Sequence, residues 1–321
     1  MNMTEQLRPD GTLRHLLTLE TLARAQLERL LERSQTFVRP LGAKPPLSQT
    51  LAGATVANLF TEPSTRTRVS FELAARRLGA QVVNLEVQLS SRVKGESMLD
   101  TVYTLESLYV DAFVIRDAEA GVPGLVAAHV APHVSVLSAG EAHVSHPTQG
   151  LLDALTVYQR KQRFAGLAVA IVGDLRHSRV ARSAWHALRT LGVGRFALAA
   201  PPALMPEAGE FPGCERHTRL ADALRDADVI MMLRIQKERM TEAELPDGER
   251  YFAAWGLTRE RLALARPDAI VMHPQPMNRG IEIASDVADG PQSVIRDQVR
   301  NGVAVRMAVL EEVLTTRGGR S

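Results

Sequence analysis

The chain has 321 residues, enough for two domains of roughly 150 residues each. Apolar residues make up 45%, which suits packed globular cores. Lys and Arg number 38 against 36 Asp and Glu, a formal charge of only +2. That balance argues against a nucleic-acid or membrane-surface protein and makes any functional positive charge a local one.

Cys214 is the single cysteine, so neither an intramolecular disulfide nor a cysteine metal site is expected, in keeping with a reducing compartment. No apolar run approaches roughly 18 residues, and the first residues lack a signal-peptide core. The expectation is a cytoplasmic enzyme or binding protein with no membrane span.

Residues 1–15 are polar and irregular and read as a flexible arm. Residues 19–37 are helical by pattern, with Leu22, Leu27, Leu30 and Leu31 apolar and Arg24, Glu28 and Arg29 outward. Residues 40–46 form a loop. An apolar segment, 54–60, then ends abruptly at Thr61, Glu62 and Pro63. A helix follows at once, with Phe71, Ala74, Ala75 and Leu78 on one face and Gly79 as its stop. Ser64 is placed to cap it, so Thr65, Arg66 and Thr67 occupy its first turn. Free N–H groups, the positive end of the helix dipole, two hydroxyls and a guanidinium together suit phosphate oxygens. A merely well-capped helix accounts for Ser64 but not for Ser-Thr-Arg-Thr in one turn after a strand.

A strand is expected at 81–87, a polar loop at 88–96 and a helix at 96–109, with Met98, Val102, Leu105 and Tyr109 on one face. Strands follow at 111–116 and 134–137, with a helix at 121–129 between them. Such alternation implies a parallel sheet with helices on both faces. His146 precedes Pro147 at the start of a helix to about residue 158, whose buried face is Leu151, Leu155 and Tyr158. After a break at 159–166 a second series begins. Strands are expected at 167–172, 195–199, 228–233 and 269–273, and helices at 179–191, 220–225 and 292–315, with a long charged segment at 236–251.

In open α/β sheets ligands bind beyond the carboxyl ends of the strands. Collecting the residues there gives Ser64 to Thr67, Ser90, Lys94, Arg116, His146, Gln149, Asp174, Arg179, Arg234, Gln236, His273, Gln275 and Pro276. Each has an ordinary reading as a cap, a solvated charge or a structural histidine. Their shared position, four arginines and a lysine against one obvious acid, points to an anionic ligand. Dinucleotide and P-loop signatures, HExxH and GxSxG are all missing from the sequence, so no cofactor and no metal are predicted. A site of Arg, Thr, His and Gln without a nucleophile suggests direct group transfer driven by orientation and electrostatics.

These residues resemble the aspartate/ornithine carbamoyltransferase family over nearly the whole chain. PSTRTRVSFE at 63–72 is similar to the family's carbamoyl-phosphate signature, and HPTQGLLD at 146–153 to its second signature. VKGES at 93–97, RIQKER at 234–239 and HPQPMNRGIEI at 273–283 resemble the aspartate branch, although Gln275 stands where that branch often has Leu, Gly or Ala. The resemblance implies an α/β protein of two domains, each a parallel β-sheet flanked by helices, with the C-terminal helix returning to the first. Residues 1–147 with 299–321 would bind carbamoyl phosphate and 148–298 aspartate.

It further implies that Ser64, Thr65, Arg66, Thr67, Arg116, His146, Gln149, Gln275 and Pro276 serve carbamoyl phosphate. Ser90, Lys94, Arg179, Arg234 and Gln236 would serve aspartate, with Arg66, Thr67, Lys94, Arg116 and His146 catalytic. A homotrimer with shared sites is implied, Ser90 and Lys94 reaching the neighbouring subunit. PMNRGIEI and ADGPQS resemble members that assemble with a dihydroorotase-like partner, and a regulatory chain stays equally open. Two rival readings stand beside this one: a carbamoyltransferase for another amino acid such as ornithine, and a non-catalytic anion-binding regulatory protein.

Overall fold

The computed structural model describes residues 6–40, 42–86, 97–236 and 247–315. The chain forms two compact units, Met1–Leu152 with Arg300–Ser321, and Asp153–Val299.

The first unit holds α1 (Arg24–Phe37), β1 (Thr55–Phe60), α2 (Thr65–Arg77), β2 (Gln81–Glu86), α3 (Met98–Ser107), β3 (Ala112–Asp117), α4 (Val122–His129) and β4 (Ser135–Glu141). Its sheet runs β2-β1-β3-β4 with every pairing parallel; Thr55 faces Gln81 and Val56 faces Ala112. Such a sheet is covered on both faces, which is why its strands read as near-continuous apolar runs. All of β4 is buried, and Ala57, Leu59, Phe113, Ile115, Val126 and Val136 share one core. Phe71 of α2 is wholly buried, a contribution of about 1.5–3 kcal/mol. Gly79 ends α2 with φ +87°, and a Cβ there would fall 3.1 Å from the Ser48 carbonyl oxygen, so glycine is required twice over. In α3, Ser97 and Asp100 form a reciprocal capping box.

Two long helices, α5 (Pro147–Lys161) and α11 (Ile295–Thr315), run through the points where one unit gives way to the other. On α11, Arg306 is buried, donates to the Gly302 carbonyl at 2.8 Å and lies over the Phe71 ring at 4.9 Å.

The second unit adds β5 (Ala168–Val172), α6 (Arg179–Thr190), β6 (Arg195–Ala199), β7 (Glu215–His217), α7 (Leu220–Leu224), β8 (Val229–Met232), α8 (Gly248–Trp255), α9 (Arg259–Leu262), β9 (Ile270–Met272) and α10 (Ser285–Ala288). Its sheet runs β7-β6-β5-β8-β9, again parallel throughout. Among the described residues no helix is long and apolar enough to cross a membrane.

Several expectations are corrected. Residues 6–15 are not a loose arm. Leu13 is wholly buried, Arg8 donates to the Val313 carbonyl at 2.8 Å, and buried His15 accepts from the Val136 N–H through Nδ1 at 2.9 Å. Tyr158 leaves the buried face of α5 and stacks on Phe164, with centroids 5.6 Å apart. Tyr109 lies beyond the end of α3, 87% exposed with φ +66°, so it joins no apolar face. Strand β7 was not expected at all. Glu-Arg-His carries no apolar alternation, and the strand is held at the sheet edge by paired bonds from Arg195 to Glu215 at 2.9 and 2.7 Å.

Candidate active site

Strand order decides where ligands can sit. From β1 the chain moves to β2 on one side and then crosses to β3 on the other; from β5 it moves to β6 and later crosses to β8. The turns after β1 and β3, and those after β5 and β8, therefore diverge at a switch point and leave a crevice. Of the strand-end residues singled out in the sequence, Ser64 to Thr67 and Arg116 stand at the ends of β1 and β3, and Asp174, Arg179, Arg234 and Gln236 follow β5 and β8.

In the first unit, the Thr61 N–H donates to the Arg116 carbonyl at 3.0 Å, which ties the end of β1 to the end of β3. Ser64 occupies the N-cap of α2, but its hydroxyl accepts no bond from the first-turn amides, contrary to its expected capping role. Thr65 and Arg66 are exposed and Thr67 is buried beneath them. The first turn contains no acid. Arginine at the positive end of a helix dipole is unfavourable by itself, so this arrangement is suited to receive an anion. Arg116, largely buried on β3, sets Nε 3.2 Å from Glu62 Oε2 and Nη1 3.4 Å from the Ala139 carbonyl oxygen. Buried His146 and Gln149 begin α5, where the Gln149 N–H donates to the His146 carbonyl at 2.9 Å. A short bridge, Glu141 to Ser145, presents His146 at that position.

The second unit repeats the device. Ser178 caps α6, accepting from the Ala181 N–H at 3.1 Å, and the first helical residue, Arg179, is buried. Again no acid lies in the first turn. A cation at the positive end of a helix dipole places its donors where an anion would be favoured. Asp174, fully buried after β5, accepts from the His177 ring at 2.9 Å, the His177 N–H at 3.2 Å and the Gln236 N–H at 3.3 Å. Gln236 also donates its side-chain amide to the His177 carbonyl at 2.9 Å. The turn after β5 and the turn carrying Arg234 and Gln236 are thus bonded together. Gly173, φ +122°, permits this approach, since a Cβ there would lie 2.9 Å from the Leu233 carbonyl oxygen.

A further strand-end turn of the second unit follows β9. His273 is buried, its Nδ1 accepting from the Gln275 N–H at 2.9 Å. Gln275, with φ +57°, precedes a cis bond to exposed Pro276. Behind them Glu282 is wholly buried. Burial alone would raise its carboxyl, but the nearby His273 ring and bonds from Ile235 and Asn278 outweigh that and hold it below the usual carboxylate range. The buried Tyr251 phenol is pushed far up, first by burial and then by the charges of Glu282 and Asp174.

Ser90 and Lys94 lie outside the described residues. Sequence reasoning missed Glu62 and Glu282, whose value lies in bonds made across turns. It also missed Arg182, which donates to the Arg176 carbonyl at 3.1 Å and braces the turn after β5. Among the described residues no cluster of three or more His, Cys, Asp or Glu is arranged to hold a metal ion.

Each unit is thus a parallel α/β sheet that carries arginines at its strand-end switch point. Residues 14–159 match the carbamoyl-P binding domain of aspartate/ornithine carbamoyltransferase, and residues 165–313 match its Asp/Orn binding domain. The chain belongs to the aspartate/ornithine carbamoyltransferase family. Among solved structures it is similar to aspartate transcarbamoylase from Trypanosoma cruzi in complex with carbamoyl phosphate and aspartate. The two are 32% identical with a TM-score of 0.84, covering 94% of this chain and 97% of that one. The same enzyme in complex with N-(phosphonacetyl)-L-aspartic acid matches at a TM-score of 0.82 and 32% identity, over 94% and 95% of the two chains. Ornithine carbamoyltransferase from Thermus thermophilus matches at a TM-score of 0.82 with 26% identity, over 94% and 99%.

Proposed function

We propose that the chain transfers the carbamoyl group of carbamoyl phosphate to the amine of L-aspartate, giving N-carbamoyl-L-aspartate and phosphate, a step of pyrimidine synthesis. The observation that carries the choice of aspartate is buried Arg179 at the positive end of α6, with Arg234 on the adjoining strand-end turn. A dicarboxylate matches two such cations, whereas the ammonium of ornithine needs an acid. Among the described residues, the acids on these turns, Asp174 and Glu282, already accept bonds from protein donors. The neighbours bound to carbamoyl phosphate and aspartate support the same reading.

In this reading residues 1–147 with 299–321 hold carbamoyl phosphate and 148–298 hold aspartate. Ser64, Thr65, Arg66 and Thr67 bind the phosphate on the first turn of α2. Arg116, Thr67 and His146 donate to the carbonyl oxygen as it gains charge, while Gln149, Gln275 and the Pro276 carbonyl hold the carbamoyl NH₂. Arg179, Arg234 and Gln236 take the two carboxylates. The neutral amine attacks the carbonyl carbon and a C–N bond forms. The tetrahedral intermediate then collapses, the C–O bond to phosphate breaks, and the departing phosphate accepts the amine proton.

Ser90 and Lys94 complete the site of a neighbouring subunit in a cytoplasmic homotrimer, with room for a dihydroorotase-like or regulatory chain. Val69 and Leu73, one turn apart on α2 and each 43% exposed, suit burial against a second copy. Ornithine is the second reading, favoured by the Thermus thermophilus match. The test is phosphate release from carbamoyl phosphate with L-aspartate or L-ornithine as acceptor. Release dependent on aspartate supports the proposal; release with ornithine alone sinks it.

A further inference from the structure

Two turns leave adjacent strands of the second unit, residues 233–236 after β8 and 273–283 after β9. Under the proposed function they have different tasks: Arg234 and Gln236 for the amino acid, Gln275 and Pro276 for the carbamoyl group. One buried side chain joins them. Glu282 Oε1 accepts from the Ile235 N–H at 3.0 Å and from Asn278 Nδ2 at 2.7 Å. Its Oε2 accepts from the Asn278 N–H at 2.6 Å and lies 3.8 Å from His273 Nε2. Because His273 Nδ1 accepts from the Gln275 N–H, the ring N–H is the one at Nε2, on the side of Glu282. Gln298 extends the chain, accepting from the His273 N–H at 2.9 Å and donating to Asp153 Oδ1 at 2.9 Å.

A buried carboxylate is a poor device for stability alone, since a well-packed apolar side chain commonly serves as well or better. What a carboxylate adds is direction. Its lone pairs fix donors from both turns at set distances. Ile235 lies between Arg234 and Gln236, so anchoring its N–H sets the backbone from which both side chains project. Asn278 and His273 bracket Gln275 and Pro276 in the same way.

We propose that Glu282 is a positioning residue of the transfer reaction, holding the Arg234–Gln236 turn and the 273–278 turn in one fixed relation while touching neither substrate. The inference rests on the roles given above to those two turns.

The test follows from donor counting. Ile235 N–H, Asn278 N–H and Asn278 Nδ2 all donate to Glu282. In Glu282→Gln either orientation of the new amide therefore sets a donor against a donor. The apparent KM values for amino acid and carbamoyl phosphate should both rise about tenfold. Over the same change kcat should fall no more than about threefold. Asn278→Ala removes one bond to Glu282 from the opposite turn. It should raise the amino-acid KM about threefold, although Asn278 stands on the turn assigned to the carbamoyl group.

Wild-type turnover is measured first, and whichever amino acid it uses serves for the variants. A wrong substrate assignment thus leaves this test intact. A folded Glu282→Gln protein with both KM values within twofold of wild type, even if less stable to heat, would overturn the proposal. Should that variant fail to fold, an unchanged amino-acid KM in Asn278→Ala would overturn it instead.

Discussion

Replacing Arg116 by alanine separates chemistry from folding. Its side chain is 15% exposed, and its Nε stands 3.2 Å from Glu62 Oε2, itself 20% exposed. At that distance the gross attraction at an effective dielectric of about 20 is roughly 5 kcal/mol, but desolvation offsets most of it. The net loss on removal is about 1–2 kcal/mol, a fall in Tm of a few degrees, about 2–8 °C. If Arg116 donates to the carbonyl oxygen in the transition state, losing it costs about 10²–10³ in kcat, or roughly 2.7–4 kcal/mol. The kinetic effect therefore exceeds the structural one. Arg116→Lys keeps the charge but not the planar fork, and should fall between wild type and alanine. Circular dichroism melts and phosphate release at saturating substrates measure the two effects side by side. A folded Arg116→Ala protein with kcat within about threefold of wild type would refute an oxyanion role, given the 10²-fold minimum expected.

Gly173→Ala forces a Cβ to within 2.9 Å of the Leu233 carbonyl oxygen at φ +122°, and should cost about 1–3 kcal/mol and raise the KM for the amino acid by shifting the turn that carries Arg234; urea unfolding and steady-state kinetics check both. Burial, and then the nearby charges of Arg14 and Arg8, depress the His15 imidazole to about 3. The folded chain thus resists a proton that the unfolded chain binds near 6.5, and stability is lost as pH falls from about 6.5 toward 3. His15→Asn keeps an acceptor for the Val136 N–H, so its stability should fall less steeply between pH 7 and pH 5 in urea titrations. Mixing Lys94→Ala with Arg66→Ala protein should restore partial activity in hybrid trimers if sites are shared, while verified hybrids without recovery would remove the shared site.

The sequence was most legible where chemistry and periodicity coincide. Phe71, Ala74, Ala75 and Leu78 placed α2, and all four are buried as their spacing implied. The abrupt end of β1 at Thr61 placed the turn that leads into α2. Residues 6–15 were misread because Leu7 and Leu13 are too few and too irregular for a periodic signal. The segment is instead tied to partners far along the chain, Arg8 to Val313 and His15 to Val136. Charged β7 escaped for the opposite reason, being an edge strand held by Arg195 and Glu215 rather than by an apolar pattern. Glu282 looked like one more charge in a polar loop. Only the bonds it accepts from Ile235 and Asn278 reveal it as a link between two turns. Ser64 shows the limit of local rules, since it holds the cap position without a side-chain capping bond.

The central claim is that two strand-end arginines select a dicarboxylate acceptor. It is tested most directly by competition, with labelled carbamoyl phosphate offered to the wild-type chain alongside equal L-aspartate and L-ornithine. The account predicts N-carbamoyl-L-aspartate as the dominant product, and its loss in Arg179→Ala and Arg234→Ala while carbamoyl phosphate still binds. Citrulline as the main product, or carbamoyl-aspartate formed at the wild-type rate without either arginine, would contradict it.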